Sequence, residues 1–144
     1  MIRACRDSDI DAVVTVWREA GDFAHPFLST EFQNSEARNV RNVYPKFAEI
    51  WVKEVDGTVI GFIALVGNEV GAIFVLPALH GIGIGRELMD FAVAHKGAVM
   101  VEVFRDNIVG RRFYDGYGFQ IVAKSLHRPS GQVVLKMAYD PASA

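Results

Sequence analysis

The sequence predicts an α/β protein of the mixed α+β kind, with a single mixed, mostly antiparallel central sheet of about six or seven strands and helices on both faces. Three observations support this prediction. Apolar residues recur at helical spacing near the N-terminus and again after Gly83. Between these helices, three β-like runs are joined by two-residue turn sequences, which indicates an antiparallel meander. A near-continuous apolar run follows, as expected of a buried central strand.

The predicted elements follow in the order β-α-α-β-β-β-α-β-α-β-β. Ile2 to Ala4 forms a short strand, and a helix begins at the cap-type residues around Asp9 and ends at about Ala20, before Gly21. Ser29 or Thr30 caps a second helix that runs to about Val43. The remaining bounds are Ile50–Val55, Thr58–Val66 and Glu69–Val75 for strands, Gly83–His95 for a helix, Ala98–Val103 for a strand, Asn107–Tyr117 for a helix, and Phe119–Ser125 and Gln132–Tyr139 for a final hairpin.

Size and composition indicate one globular domain over residues 1–144. The chain is 51% hydrophobic and 22% charged, and at this length about 70% of the unfolded surface can be buried. The net charge of −2 and the lack of a basic run disfavour binding to nucleic acid. Cys5 is the single cysteine, so we expect no disulfide framework, no metal site and a reducing compartment. No apolar stretch resembles a signal peptide or approaches the roughly 18 residues of a membrane span, so we expect a cytoplasmic protein that does not contact membranes.

The most informative segment joins the third strand of the meander to the next helix. An apolar run ends at Pro77, glycines follow at alternate positions, and a helix begins at once. Glycines let the backbone approach a ligand closely, and a helix start adds unpaired amides and the positive end of the helix dipole. This pattern predicts a seat for phosphate or pyrophosphate. The predicted binding residues are Gly81, Ile82, Gly83, Ile84, Gly85 and Arg86.

The glycines match two common nucleotide-binding motifs poorly. A dinucleotide fingerprint needs a third glycine where this chain has Arg86 or Leu88, and a Walker loop needs Lys and Ser or Thr directly after Gly85. A tight turn without a ligand is disfavoured because three alternate glycines at a helix start lose conformational entropy on folding. A nucleotide-binding domain of another class is the remaining alternative to the interpretation below.

A second motif follows the glycine loop. It consists of Val-Glu-Val-Phe-Arg-Asp-Asn at 101–107 and Phe-Tyr-Asp-Gly-Tyr-Gly-Phe at 113–119. This motif resembles the Leu-Glu-Val…Asn…Phe/Leu-Tyr-x-x-x-Gly-Phe segment of the GNAT superfamily of N-acetyltransferases. The glycine loop resembles the Gln/Arg-x-x-Gly-x-Gly/Ala loop of the same superfamily, which follows a Val-x-Pro strand end. The loop departs from that pattern at its first position, where this chain has His80.

The resemblance implies an N-acetyltransferase that uses acetyl-CoA as co-substrate and acetylates a primary amine of a small molecule or peptide by direct attack on the thioester. It implies that the pantetheine arm contacts Asn107 and that Tyr114 lies near the sulfur, where it can protonate the leaving thiolate. These two residues lie about two turns apart and can share a helix face. The backbone groups implied to pair with pantetheine are those of Ile73, Phe74 and Val75. A non-catalytic acyl-CoA-binding module of the same fold is the alternative, since His80 departs from the motif.

Three residues are candidates for the base that deprotonates the acceptor amine. Glu102 matches the Glu of the Leu-Glu-Val segment, and Glu69 begins the strand before the loop, a position that some members of the superfamily also use. His25 lies in an aromatic-rich loop expected to border the amine site. Each has a purely structural alternative, and a water chain without a dedicated base also stays open.

Recognition of the acceptor amine is the least determined part of the sequence. Further candidates for contact with the amine substrate are the loop aromatics Phe23, Phe27 and Phe32, and the hairpin residues His127 and Arg128. The sheet edge and the final hairpin offer a surface on which a homodimer can form.

Overall fold

A seven-stranded sheet separates two layers of helices. The computed structural model describes residues 1–143. The strands are β1 (Ile2–Ala4), β2 (Glu49–Val55), β3 (Thr58–Val66), β4 (Glu69–Val75), β5 (Val99–Phe104), β6 (Gln120–His127) and β7 (Gln132–Tyr139). The helices are α1 (Ile10–Ala24), α2 (Thr30–Asn42), α3 (Ile84–Lys96) and α4 (Ile108–Tyr117). The strand order is β1-β2-β3-β4-β5-β7-β6, antiparallel except between β4 and β5, so the predicted fold class is confirmed.

Each face of the sheet has its own hydrophobic core. On one face, α3 and α4 contribute side chains such as Leu88, which is fully buried together with Ile63 of β3. On the other face, α1 and α2 cover the sheet, and Val16 packs in the same cluster as Phe62. The two faces are called the α3–α4 face and the α1–α2 face below.

Within residues 1–143, no helix combines the length and apolar character needed to cross a membrane.

Helix α1 is about one turn longer than the sequence predicts. The prediction ended the helix at about Ala20, but it continues through Gly21 to Ala24. The Gly21 carbonyl accepts the N–H of His25 at 2.7 Å, so this glycine acts as an ordinary helical residue. A glycine weakens a helix by only about 1 kcal/mol, and the burial of Ala20 at 3% exposure favours continuation. The added turn places His25 at the C-cap of α1, where the sequence predicts a loop.

The other elements lie within one or two residues of their predicted bounds. Asp56 and Gly57 both have positive φ, 51° and 80°, as the two-residue hairpin turn requires. The hydroxyl of Ser29 accepts the N–H of Phe32 at 3.1 Å and caps α2. Asn107 caps α4 in the same way. Turn and cap residues therefore mark these boundaries in the sequence itself.

Strands β4 and β5 separate soon after they begin. They are partners only at Glu69 with Met100 and at Val70 with Val101. Beyond these residues β4 stays paired with β3, and β5 stays paired with β7, but the two strands no longer pair with each other. Their carboxyl ends therefore frame a gap in the middle of the sheet.

A bulge in β4 accompanies this separation. Leu65 of β3 pairs with Val70 and Ala64 pairs with Ala72, so Gly71 is the additional residue on β4. The bulge changes the alternation of side chains, because Val70 packs in the α3–α4 core and Ala72 in the α1–α2 core. Glu69, one residue before Val70, is consequently directed to the α1–α2 face.

Candidate active site

A continuous cleft of about 1230 Å³ passes through the gap between β4 and β5. On the α3–α4 face it is lined by the glycine loop and by α4. On the α1–α2 face it is lined by aromatic side chains from the sheet and from the connection between α1 and α2. A cleft that opens on both faces of a sheet allows two ligands to meet in the gap from opposite sides.

Free backbone amides line one end of this cleft, between Gly81 and Arg86. Gly81 and Gly83 have positive φ, 84° and 91°, and Gly83 is the N-cap of α3. The N–H of Glu87 donates to the Gly83 carbonyl at 3.0 Å and makes the first hydrogen bond of the helix. The N–H groups of residues 81–86 donate to no acceptor in the described part of the chain. This is the geometry that the sequence predicts for an anion seat, and phosphate binding itself stays a prediction.

The three loop glycines are required for different reasons. A side chain at Gly81 or Gly83 would meet no atom within 4 Å, so these two positions need glycine because of their left-handed backbone conformation. At Gly85 a Cβ atom would lie 3.1 Å from Cε1 of Phe113. Gly85 therefore permits close packing of α3 against α4, which the sequence pattern alone does not distinguish from ligand contact.

The open edge of β4 presents the backbone groups of alternate residues to the gap. The N–H of Leu76 donates to the Ile60 carbonyl at 3.0 Å. By strand alternation, Phe74 also faces β3, whereas the N–H and carbonyl groups of Ile73 and Val75 face the gap. Of the three residues predicted to pair with pantetheine, Phe74 therefore differs: its backbone groups face β3, and it reaches the cleft through its ring.

His80 folds back onto the end of β4. Its Nε2–H donates to the Val75 carbonyl at 2.8 Å, and Phe23 packs edge-on against the imidazole with ring centroids 5.7 Å apart. The residue that departs from the GNAT motif thus occupies one of the backbone acceptors that face the gap. Because a carbonyl oxygen has two lone pairs, a ligand that pairs with Val75 either shares this carbonyl with the imidazole or displaces the imidazole.

A hydrogen bond joins His25 to Asn107. The N–H of Gly110 donates to Oδ1 of Asn107 at 2.8 Å, which leaves Nδ2 to donate to Nε2 of His25 at 3.0 Å. A ring nitrogen that accepts a hydrogen bond carries no proton, so the neutral imidazole holds its proton on Nδ1. Burial lowers the pKa of His25 to about 4. His25 is therefore neutral at pH 7, with its lone pair engaged by Asn107.

Aromatic rings surround His25 where the gap opens on the α1–α2 face. Its ring makes edge-on contacts with Phe27, Phe74 and Phe104, at centroid distances of 5.8, 6.2 and 5.3 Å. Phe74 belongs to β4 and Phe104 to β5, so the imidazole spans the gap. Phe104 also contacts His127 at 5.4 Å. The residues called the aromatic wall below are His25, Phe32, Phe74, Phe104 and His127, all of which line the cleft.

Tyr114 lines the cleft on the α3–α4 face. It is 8% exposed, and burial raises its pKa well above the usual value. The hydroxyl is therefore protonated at neutral pH. In the described part of the chain it donates to no acceptor, so its proton is available to a ligand. Asn107 and Tyr114, which the sequence placed on one helix face, both line the same cleft.

The two candidate carboxylates lie on the α1–α2 face. Glu102 alternates with the buried residues Val101 and Val103 and is exposed to the cleft. Glu69 lies at the closed end of the gap, about 13 Å along β4 from Ile73 at 3.3 Å per residue. Neither carboxylate forms an ion pair or hydrogen bond within residues 1–143. Glu102 is therefore the carboxylate nearer to the open part of the gap.

Several contacts were not predictable from the motifs. Phe74 and Phe104 line the site with their rings. For Phe104 the sequence does contain a signal, because strand alternation places it on the same face of the sheet as Glu102. Among the candidate amine-binding residues, Phe32 and His127 meet at a centroid distance of 5.8 Å on the cleft. Phe27 packs against the ring of His25, and Phe23 packs against the ring of His80, which precedes the glycine loop. Arg128 is exposed and does not line the cleft. Among residues 1–143, no group of three or more metal-ligating side chains occurs.

The opened mixed sheet and the free amides at a helix start define a protein of the acyl-CoA-binding acyltransferase class, and the comparisons agree. Residues 46–121 match the family described as the acetyltransferase (GNAT) domain. The chain is 33% identical over 123 residues to the peptidyl-lysine N-acetyltransferase YiaC of Escherichia coli K12, covering 85% of this chain and 84% of YiaC. It is 32% identical over 126 residues to the peptidyl-lysine N-acetyltransferase YjaB of the same strain, covering 86% and 84%.

Solved structures show the same fold. The solution structure of apo YjaB from Escherichia coli matches with a TM-score of 0.88 at 27% identity, over 96% of each chain. The PaiA N-acetyltransferase of Thermoplasma acidophilum, solved in complex with coenzyme A, matches with a TM-score of 0.78 at 21% identity, over 96% of this chain and 98% of that one.

This chain belongs to the GNAT family of N-acetyltransferases. It is an acetyl-CoA-dependent enzyme that transfers an acetyl group to an amine, so the resemblance seen in the two motifs is confirmed. A nucleotide-binding domain of another class is excluded. The alternative of a non-catalytic module is not supported, because relatives that cover more than four-fifths of the chain are named enzymes.

Acidification is expected to destabilise the fold in part through His25. The folded protein keeps the imidazole neutral down to about pH 4, whereas the unfolded chain protonates it near pH 6.5. The unfolded state therefore binds more protons between these values. The free energy of unfolding should fall as the pH decreases from 6.5 to 4, by up to about 3 kcal/mol from this residue.

Urea unfolding at about pH 7 and about pH 4.5 measures this effect in the wild type and in His25→Gln. The variant should lose less stability on acidification, because its side chain does not titrate. Carboxylates affect both proteins alike. One example is Asp9, whose pKa is held at about 2 mainly by its hydrogen bond from Arg3. An equal loss of stability in the two proteins would show that His25 is not buried in its neutral form.

Proposed function

We propose that this enzyme acetylates the ε-amine of lysine side chains in peptides or proteins. The observation that carries the proposal is the cleft through the β4–β5 gap, which joins the free amides of residues 81–86 on one face to the aromatic wall on the other. Two relatives that exceed 30% identity and cover most of the chain are named peptidyl-lysine N-acetyltransferases. Their shared substrate class supports the choice of lysine among primary amines.

The aromatic wall suits a lysine side chain. Phe74 and Phe104 present apolar rings on either side of the gap, and Phe32 and His127 continue the apolar surface outward. A lysine has a four-carbon stem that packs on such surfaces while its nitrogen extends beyond. Poor solvation of an ammonium between these rings lowers the pKa of the amine, which favours the neutral form needed for attack.

Acetyl-CoA supplies an acyl group activated as a thioester, and the protein groups that fit it are already arranged. We propose that the amides of Gly81 to Arg86 hold the diphosphate at the start of α3. The gap-facing backbone groups of Ile73 and Val75 pair with the pantetheine arm, as another strand would. Asn107 contributes its remaining N–H to the same arm.

The chemistry assigned to the chain consists of one donor for the oxyanion and two proton-transfer groups. A gap-facing N–H of β4, at Ile73 or Val75, is the donor for the oxyanion that forms at the thioester carbonyl. Tyr114 keeps its proton at neutral pH and gives it to the departing sulfur. Glu102 is the nearer carboxylate and takes the proton from the acceptor amine, directly or through water, while Glu69 at the closed end can act only through a longer water chain.

We also propose a cellular setting and partners for the enzyme. The single cysteine supports a reducing compartment such as the cytoplasm. The edge strand β6 exposes Ile121, Val122 and Leu126, an apolar surface that supports a homodimer. The net charge of −2 supports a partner other than nucleic acid.

Peptide substrates should be preferred over small amines. We expect a lysine-containing peptide with a blocked N-terminus to be acetylated with kcat/KM at least about tenfold above that of butylamine, because additional contacts with the rim contribute binding energy. Release of coenzyme A measures the rate, and mass spectrometry locates the acetyl group. The same peptide with arginine in place of lysine is the control. Faster turnover of small amines would contradict the lysine proposal while leaving acetyl transfer intact.

The diphosphate seat is tested at Ile82, which is 67% exposed and avoids the strained positions of the neighbouring glycines. Ile82→Glu should raise the Kd for acetyl-CoA about tenfold, because a carboxylate is placed beside the diphosphate. The control Ile82→Gln has the same shape without the charge and should stay within about threefold of the wild type. Calorimetry at low and high salt checks the cause, since added salt should reduce the difference. Equal affinities for the two variants at low salt would place the diphosphate elsewhere.

The role of Tyr114 is tested by Tyr114→Phe, which keeps the ring and removes the hydroxyl. We expect kcat to fall about 100-fold or more through loss of the proton donor. The Kd for acetyl-CoA and the free energy of unfolding should change little, because the hydroxyl has no partner within residues 1–143. Steady-state kinetics, calorimetry and urea unfolding measure the three quantities. An unchanged kcat would remove Tyr114 from the chemical step.

A further inference from the structure

We propose that His25 is a positioning residue, which holds the side chain of Asn107 and spans the β4–β5 gap from the acceptor side. This inference rests on the proposed contact between Asn107 and the pantetheine arm. It assigns to the connection after α1 a part in acetyl-CoA binding, although that connection lies on the opposite face of the sheet from the glycine loop.

The hydrogen bonds of Asn107 leave one N–H of its side chain free. The side chain is buried at 7% exposure, and its Oδ1 accepts the N–H of Gly110 at the start of α4. One N–H of Nδ2 donates to His25. A primary amide has two N–H groups, so a single donor is left for a ligand. The direction of that remaining N–H is determined by the partner of the other one, which is His25.

The imidazole of His25 meets Asn107 as a hydrogen-bond acceptor. A neutral imidazole has one lone pair, and in His25 this lone pair on Nε2 accepts from Asn107. Rotation of the amide by 180° would place Nδ2 against the N–H of Gly110, so the amide cannot turn to accommodate a protonated ring. His25 therefore acts as a fixed hydrogen-bond acceptor. A general base would need the same lone pair for the amine proton.

The imidazole ring of His25 is fixed in position by the aromatic side chains around it. Edge-on contacts with Phe74 of β4 and Phe104 of β5 hold the imidazole across the opening. Phe27 packs on it from the same connection at 5.8 Å. These neighbours carry no charge, and burial alone accounts for the lowered pKa of His25. The ring is thus held beside Asn107, and a small residue in its place would leave the buried amide without its acceptor.

The test compares His25→Ala with His25→Gln. A glutamine carbonyl can accept the Asn107 hydrogen bond but cannot take up a proton, so rescue by glutamine distinguishes positioning from base catalysis. We expect His25→Ala to raise the Kd and KM for acetyl-CoA about tenfold, and His25→Gln to stay within about threefold of the wild type in both Kd and turnover rate. The control is His95→Gln on α3, where the histidine is exposed, contacts Phe91 and Trp51, and does not line the cleft.

A second variant keeps the test valid if the alanine variant does not fold. Asn107→Asp retains an oxygen that caps α4 but replaces the donor to His25 by an acceptor. Nuclear magnetic resonance titration should then show the imidazole protonating at a higher pH than in the wild type, and calorimetry should show weaker acetyl-CoA binding. In the Asn107→Asp background, His25→Gln should add little further loss of affinity, because the contact between the two residues is already broken.

Distinct results would overturn this inference. If His25→Gln slowed turnover about 100-fold or more and lost the acidic limb of the pH–rate profile, His25 would be identified as a base. An unchanged Kd in His25→Ala, together with a raised Kd in Asn107→Asp, would show that Asn107 binds acetyl-CoA without help from His25. An unchanged Kd in Asn107→Asp would contradict the proposed pantetheine contact itself and the inference with it, whereas acetyl transfer and the diphosphate seat would stand.

Discussion

The separation of β4 from β5 is the constraint on which the site depends. The two strands pair over only two residues each and then diverge, while each stays paired with its other neighbour. The unpaired edge of β4 leaves the N–H and carbonyl groups of Ile73 and Val75 without strand partners. Unpaired backbone groups inside a sheet are unfavourable unless water or a ligand satisfies them. In the proposed function, this otherwise unfavourable edge binds the co-substrate.

The elements around the gap supply different kinds of interaction to it. The start of α3 contributes free amides and a positive dipole on one face, and α4 contributes Asn107 and Tyr114. The α1–α2 connection contributes His25 and apolar rings on the other face. The gap-facing backbone groups of β4, Asn107, Tyr114 and His25 are all uncharged, and Glu102 is the nearer of the two candidate carboxylates. The site therefore relies on neutral donors and acceptors held in place by packing, which suits a reaction that requires an uncharged amine.

Much of the fold was predictable because its boundaries depend on local chemistry. The Asp56-Gly57 turn, the Ser29 and Asn107 caps and the glycines before α3 each require particular residues for conformational or hydrogen-bonding reasons. The α1 boundary was not predictable in this way. Gly21 is a weak signal, and the burial of the preceding turn against the sheet outweighs it.

The residues of the candidate site likewise differ in whether the sequence alone reveals them. The glycine loop, Asn107, Tyr114 and the two carboxylates are visible as motifs, since each motif is a short run of chain. The bond from His80 to Val75, the bond from Asn107 to His25 and the rings that flank His25 join residues from separate elements. Strand alternation and the bulge at Gly71 decided which β4 groups face the gap, and no single run of sequence contains the information on both strands that this requires.

The sequence by itself determined the class of the protein and the positions of the residues that we propose bind the diphosphate and transfer protons. Local rules of turns, caps and free helix-terminal amides act over a few consecutive residues, and such rules can be read from one chain. Only the tertiary structure decided which face each side chain occupies and which polar atoms meet across the gap. These outcomes depend on burial and packing between residues far apart in the chain, where small differences in free energy select one arrangement among several that the local rules allow.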